Sequence, residues 1–365
     1  MTKIKAVTRY LESIAPPAYQ ESYDNAGLIT GDPETEVTGV LVCLDSTEEV
    51  MDEAIRKNCN LVVAHHPIIF KGLKKITGRN YVERTIIKAI QNNIAIYAIH
   101  TNLDNVSSGV NLKICEILEL ENVQVLSPKK NVLSKLVTFI PEKDTPGVLE
   151  ALHEAGAGKI GAYDHCSFST EGKGRFKPGA GASPHIGKPG EIESVNETRI
   201  EVIFPTLQWT AVLAALNKSH PYEEVAYDLT SLDNTYQEVG SGMTGTLKSP
   251  MEPQDFLQYL KEKMAVSVIR HSQLLNKKIS KVAVCGGSGS FLIQKAIAGN
   301  ADIFVTGDIK YHEFFDHEGK IVLADIGHYE SEVYTKELLR DLLIKYFNTF
   351  AVDLSETVTN PVKYF

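Results

Sequence analysis

Leu61-Val62-Val63-Ala64-His65-His66-Pro67 sets two imidazoles side by side directly after a short apolar run. The run reads as a strand and the histidines as its polar end. A second apolar run, Ile94-Ala95-Ile96-Tyr97-Ala98-Ile99, finishes the same way, in His100-Thr101-Asn102-Leu103-Asp104. A third, near the far end of the chain, leads into Asp325-Ile326-Gly327-His328-Tyr329-Glu330-Ser331-Glu332. Open α/β sheets bind ligands outside the carboxyl ends of their strands. Strand ends that carry imidazole and carboxylate therefore predict one polar site assembled from distant sequence. The residue types predict metal, and two ions rather than one.

Working outward, strand and helix patterns alternate. A helical pattern over 2–14 stops at Pro16-Pro17, and a polar loop, Glu21-Ser22-Tyr23-Asp24-Asn25-Ala26-Gly27-Leu28, follows. Strands are expected at 37–44, 61–64 and 94–99, with helices at 47–57, 81–92 and 108–120, the last capped by Ser107 or Ser108. Such alternation predicts an α/β fold with a mostly parallel sheet and flanking helices.

The pattern changes near Ser127-Pro128-Lys129-Lys130. A strand at 134–140, a helix at 145–155, a long Gly/Pro-rich stretch over 156–190, a strand at 197–204, a helix at 207–218 and a strand at 224–230 suggest a βαβ-like unit repeated once. That is the pattern of ferredoxin-like α+β folds. We read 128–243 as an inserted domain and 1–127 with 244–365 as a discontinuous α/β domain. In the last segment, strands at 281–285, 302–306 and 321–324 alternate with helices near 291–299 and 310–317 and a final helix over about 328–348. Because ligands come from both outer segments, their strands are expected to share one sheet.

Composition removes several classes. The 365 residues carry a net charge of -9, which argues against a basic nucleic-acid-binding surface. The five cysteines, Cys43, Cys59, Cys115, Cys166 and Cys285, are scattered and form no C-x-x-C pair. That argues against a disulfide framework and a thiolate zinc site, and fits a reducing compartment. There is no secretory apolar core, and no run approaches the ~20 apolar residues that span a bilayer. A cytoplasmic protein is expected. No G-x-S-x-G elbow or Walker sequence occurs.

Adjacent side chains on a strand point to opposite faces, so His65 and His66 cannot easily chelate one ion within a regular strand. At a strand end they can splay toward two. His328 and Glu332 are four apart at the start of a helix and share a face. Asp104 lies four beyond His100, in an expected loop. Three imidazoles and two carboxylates suit Zn, Fe, Mn or Co. Glu332, with two oxygens, is the expected bridge. His100 is left as a second-sphere donor or a base.

Each feature alone has a plainer reading. A His-His pair is usually incidental, and a His and Glu one turn apart are usually a surface pair. Lys71, Lys74 and Lys75 read as a solvated loop. Gly286-Gly287-Ser288-Gly289-Ser290 fails G-x-G-x-x-G, because Leu292 takes the third glycine position, and reads as a tight strand-to-helix turn. Asp308, in Thr306-Gly307-Asp308, is expected to cap the next helix. His220-Pro221-Tyr222-Glu223-Glu224 is assigned to folding or assembly.

The segment from Glu21 to Leu28, His65-His66-Pro67, His100 to Asp104, Thr306-Gly307-Asp308 and Gly327 to Glu332 together resemble the NIF-three-like family. Its members also carry the name GTP cyclohydrolase 1 type 2 homologue. The middle stretch, with Gly172 to Gly187 and His220 to Glu224, resembles the PII-like or CutA-like insert of the longer bacterial members. One departure is Tyr23, where the family usually has tryptophan. The resemblance implies a toroidal homohexamer with a dinuclear metal centre in each subunit, and the insert over the openings of the ring. It maps His65 and Asp104 onto one metal, His66 and His328 onto the other, and Glu332 onto both. Zinc is the metal expected in a crystal. It further implies a metal-dependent hydrolase, with a small molecule such as a nucleotide as substrate. In that reading His100 shuttles a proton, and Lys71 or the Gly286 to Ser290 loop holds a triphosphate. The alternatives are a metal-dependent phosphoesterase and a non-enzymatic metal-binding hexamer that regulates or scaffolds.

Overall fold

The computed structural model describes residues 2–365. Ile4, Val7 and Leu11 recur at helical spacing, and they form the buried stripe of α1 (Ile4–Ile14). The chain then alternates through β1 (Gly27–Thr30), β2 (Gly39–Cys43), α2 (Glu48–Arg56), β3 (Leu61–Ala64), α3 (Tyr81–Gln91) and β4 (Ala95–Ala98). Next come α4 (Thr101–Asp104), α5 (Val110–Ile117) and β5 (Glu121–Lys129). Side chains of Thr47 and Asn80 accept from the backbone N–H of Val50 and Glu83, so α2 and α3 begin on ordinary N-caps.

Residues Lys129–Gln237 form a separate unit of the fold. It contains β6 (Leu133–Pro141), α6 (Thr145–Glu154), β7 (Ser167–Phe176), β8 (Glu193–Pro205), α7 (Trp209–Ser219) and β9 (Tyr227–Leu232). The sheet order is β7-β8-β6-β9, antiparallel throughout. Alternate residues Ile200, Val202 and Phe204 point to one face and pack with Val148, Leu152, Val212 and Leu216 of the two helices. β7 runs through the middle of the Gly/Pro-rich stretch, where the composition suggested only loop.

The chain up to Pro128 and Glu238–Phe365 make up the other unit. Its later elements are β10 (Tyr236–Met251), α8 (Pro253–Lys263), β11 (Arg270–His271), β12 (Ile279–Ser288), α9 (Ile293–Ala298), β13 (Ile303–Gly307) and β14 (Val322–Asp325). Then follow α10 (His328–Glu332), α11 (Thr335–Tyr346) and β15 (Ala351–Leu354). The protein is thus mixed α/β with several sheets. No helix of the described residues is long and apolar enough to cross a membrane.

The expectation of one shared sheet is wrong. One sheet has the order β1-β4-β3-β2-β15, the other β11-β14-β13-β12-β10-β5. The first is filled at both edges: β1 pairs antiparallel with β4, and β15 pairs parallel with β2. β12 to β14 therefore do not neighbour β2, β3 or β4. Within each sheet the central strands are parallel, β2-β3-β4 in one and β12-β13-β14 in the other. Their carboxyl ends therefore emerge together. β2, β3 and β4 are buried at every position, which is why they read as unbroken apolar runs.

Other local corrections concern ends. The final helix divides at Val333 and Tyr334: α10 buries Ser331 and Glu332, whereas α11 buries Thr335, Leu339 and Leu343. The chain then continues into β15, which carries no turn signal strong enough to mark it. The helix after Asp104 begins at Val110 with Gly109 as N-cap. Ser107 instead donates to Glu238, at 2.7 Å, so its hydroxyl is not available to cap.

Candidate metal centre

β3 runs straight into His65 and His66, whose backbone N–H groups still bond to Cys43 and Leu44. The chain bends at both histidines while keeping those two bonds, and their rings are tilted by 43° with centroids 4.9 Å apart. His100 follows β4, and Asp104 sits at the end of α4, a short helix rather than the expected loop. His328 opens α10 after β14, and Glu332 closes it.

These side chains converge. Glu332 Oε2 lies 2.9 Å from His66 Nε2 and 3.1 Å from His328 Nε2. Its Oε1 lies 3.8 Å from His65 Nε2, which is 3.6 Å from Asp104 Oδ1. Three groups have their ligand atoms within 4.8 Å of one another: His65-Asp104-Glu332, His66-His328-Glu332 and His65-His66-His100. All six residues singled out from the sequence are thus brought into one cluster.

The outer nitrogen of every ring is held. His65 Nδ1 bonds to the Ile99 carbonyl at 2.8 Å, His66 Nδ1 to Asp45 at 2.7 Å, His328 Nδ1 to Asp308 at 2.7 Å, and His100 Nδ1 to Asp24 at 2.8 Å. With Nδ1–H donating outward, each Nε2 is aimed inward and offers its lone pair there when the ring is neutral. Asp45 in turn accepts from Thr359, and Asp24 from the N–H and hydroxyl of Thr101. Asp308 is therefore a partner of His328, not a helix cap; the following helical turn begins only after Lys310.

Asp24 and Asp45 were not singled out from the sequence. Asp45 had a usable signal, since it follows β2 as the histidines follow β3. Asp24 had none beyond its place in a polar loop.

Electrostatics follow from the burial. Burial opposes charge on His66, but hydrogen bonds and charges of Asp45 and Glu332 prevail and push its pKa up to about 10. His328 is pushed up to about 9, against burial, by Glu332 and Asp308. His65 is fully buried, and burial pushes it down despite Glu332. Glu332, buried too, is nevertheless held well below the usual carboxylate range by His328, His65 and His66. Asp104 is pushed well above it by burial and by the charge of Glu332. Asp24 is lowered to about 2, burial being outweighed by His100 and Thr101.

The donor set fits divalent cations. His65 Nε2 and Asp104 Oδ1 are buried polar atoms with no hydrogen-bond partner among the described residues. Such atoms are rare and costly unless something else satisfies them. A cation bound by both would do so, and imidazole with carboxylate is a ligand set for Zn, Fe, Mn or Co.

Room for Glu332 depends on β12. Gly287 has φ +62°, and a Cβ there would fall 2.3 Å from Glu332 Oε1. Its N–H donates to Ser331 and that of Gly286 to Asn111, at 2.9 and 3.0 Å. Those two amides are already used, so the phosphate-holding role imagined for this loop loses them. Lys71 is exposed and does not line the cleft. The cleft over the cluster has a volume of about 1030 Å³, with Tyr23, Phe70, Phe291 and Arg270 among its walls.

The family model Duf34/NIF3 (NGG1p interacting factor 3) matches residues 2–361. A Bacillus subtilis (strain 168) protein named GTP cyclohydrolase 1 type 2 homolog is 40% identical over 98% of this chain and 97% of its own. A Staphylococcus epidermidis protein of the same name is 39% identical over 99% of this chain and all of its own. Among solved structures, a Bacillus cereus protein related to NIF3 superposes with TM-score 0.87 at 37% identity, covering 100% of this chain and 99% of that one. Staphylococcus aureus protein SA1388 gives 0.80 at 33% identity, with the same coverage.

Proposed function

The chain belongs to the Duf34/NIF3 family, and we propose that it is a dinuclear metal-dependent hydrolase in which Glu332 serves both ions. His65 and Asp104 complete one ligand set, His66 and His328 the other. The observation that supports this most directly is the pair of three-residue groups that share Glu332. Zinc, or Fe, Mn or Co, would supply Lewis acidity there and make a water acidic near neutral pH.

The protein's own groups do the rest. Ile99, Asp45 and Asp308 fix the ring orientations of His65, His66 and His328, so little reorganisation is needed when substrate arrives. His100 has its Nδ1 side on Asp24, which orients the ring with Nε2 toward the cluster as a candidate base. Flat walls at Tyr23, Phe70 and Phe291 suit a planar ring such as a nucleotide base, while Arg270 in the same cleft is paired with Asp325. GTP ring opening, the activity in the relatives' name, is one case; phosphoester cleavage is the other.

Metal content and turnover on one sample test this. Protein reloaded with Zn, Mn, Fe or Co should hold about two ions per chain. Formate release from GTP marks ring opening, and orthophosphate marks phosphoester cleavage. Two ions with no turnover under any metal supports the regulatory or scaffold reading instead. No metal uptake rejects the dinuclear centre. The antiparallel sheet with two helices in Lys129–Gln237 supports the PII-like or CutA-like reading of 128–243. The toroidal homohexamer rests on the family resemblance, and light scattering tests it.

A further inference from the structure

Lys129–Gln237 holds a second cavity, of about 660 Å³. Strand alternation places it on the sheet face away from α6 and α7. Ile200 and Val202 face the helices, so Glu197 and Arg199, of opposite parity on β8, face the other way. Cross-strand pairing sets Gly172 beside Glu197, and Phe139 beside Arg199, on this second face. A roof comes from the Gly/Pro-rich segment, through Pro178, Pro184, His185 and Ile186. It is anchored where Ser183 N–H donates to Glu223 at 2.9 Å.

The floor is kept bare by glycine. A Cβ at Gly172 would meet nothing within 4 Å, so the space above it is open. A Cβ at Gly174 would fall 1.9 Å from Glu197 Oε2. Glycine at 174 is what allows the Glu197 carboxylate to lie across β7.

Glu197 is only 8% exposed. Its Oε1 accepts from the Tyr222 hydroxyl at 2.8 Å, while Oε2 has no hydrogen-bond partner among the described residues. One carboxylate oxygen thus stays free to accept a donor, and the residue lines a cavity large enough for a ligand. The exposed rim does not choose a charge: Lys173, Arg175 and Lys177 stand against Glu171, Glu223 and Glu224. Arg199 is already paired with Glu201. Selection therefore falls to Glu197, among walls of Phe139, Phe176 and Ile186.

The geometry points to a binding site for a small aromatic amine, whose ring lies over Gly172 between Phe176 and Ile186 and whose ammonium group donates to Glu197 Oε2. This site is separate in sequence from the metal cluster, and it stands whether or not the chain is a hydrolase.

Calorimetric titration of the full chain with tryptamine, and with indole-3-acetate as its charge-reversed counterpart, tests the assignment. Tryptamine should bind at least about tenfold more tightly, because its ammonium forms a charge-assisted bond to the carboxylate. Glu197→Gln still offers an oxygen to Tyr222, and should bring the two ligands within about twofold of each other. Gly172→Leu fills the floor and should abolish both, with an unchanged melting temperature showing that the fold is intact. If Glu197→Gln fails to fold, the Gly172→Leu titration decides alone. No saturable tryptamine binding, equal affinities in the parent protein, or a preference that survives Glu197→Gln would each overturn the assignment.

Discussion

His66 and His328 bring their Nε2 atoms to 3.4 Å from each other although 262 positions separate them in the chain. Both nitrogens also address the same oxygen of Glu332, at 2.9 and 3.1 Å. The other oxygen of Glu332 faces His65. One carboxylate thus joins both halves of the cluster, and the halves should be separable by mutation. Glu332→Gln is expected to lower bound metal from about two ions per chain to nearly none, and His66→Ala to about one. Elemental analysis after reloading checks this. Equal loss in the two variants would reject the two-half description.

Gly287→Ala probes the space that Glu332 occupies. The added Cβ would overlap Oε1, and φ +62° at this position costs an L-residue about 1–2 kcal/mol. The carboxylate should be pushed off its position, lowering metal affinity by roughly 10–100-fold while the fold persists. Competition with a chromophoric chelator measures the affinity, and circular dichroism checks the fold. Unchanged affinity would mean that Glu332 is not a ligand in this position.

Asp45→Asn and Asp308→Asn remove the carboxylates that hold the outer nitrogens of His66 and His328. Each should weaken metal binding by about 10–100-fold without removing a ligand. Asp45→Asn should also free Thr359 and loosen the C-terminal segment around it, whereas Asp308→Asn should not. Hydrogen exchange at residues 357–362 separates the two effects.

Stability at acid pH should depend on Glu53, which lies in α2 and bonds to the C-terminal segment rather than to the cluster. Its side chain is 1% exposed and pairs with Lys57 at 2.9 Å. It also accepts from Ser355, from the N–H of Glu356 and from Thr357. Burial favours its neutral form, but these donors outweigh burial and lower its pKa from 4.5 to about 2. A depressed carboxylate stabilises the fold fully above its unfolded value, and that contribution fades as pH falls through the folded one. Glu53→Gln places an amide among donors and should cost about 2–4 kcal/mol at pH 7. The gap from the parent protein should shrink between pH 4.5 and about 2 in denaturant melts. A gap constant with pH would assign the loss to packing rather than charge.

What could be read without a structure was local. Unbroken apolar runs such as Leu61–Ala64 mark strands buried on both faces, and the polar residues that follow mark their ends. The one-turn spacing of His328 and Glu332 needs only helix geometry. Chemistry-bearing residues at strand ends were therefore visible one segment at a time. Tertiary structure decided how the segments meet. Two sheets form instead of one, with β1 and β15 flanking the parallel strands of the first. Asp24, Asp45 and Asp308 become partners of imidazoles that lie 76, 21 and 20 positions away. Gly287 matters only because Glu332 happens to pack over it. None of these relations leaves a period in the sequence, since periodicity reports which face of an element is buried and not which distant element covers it.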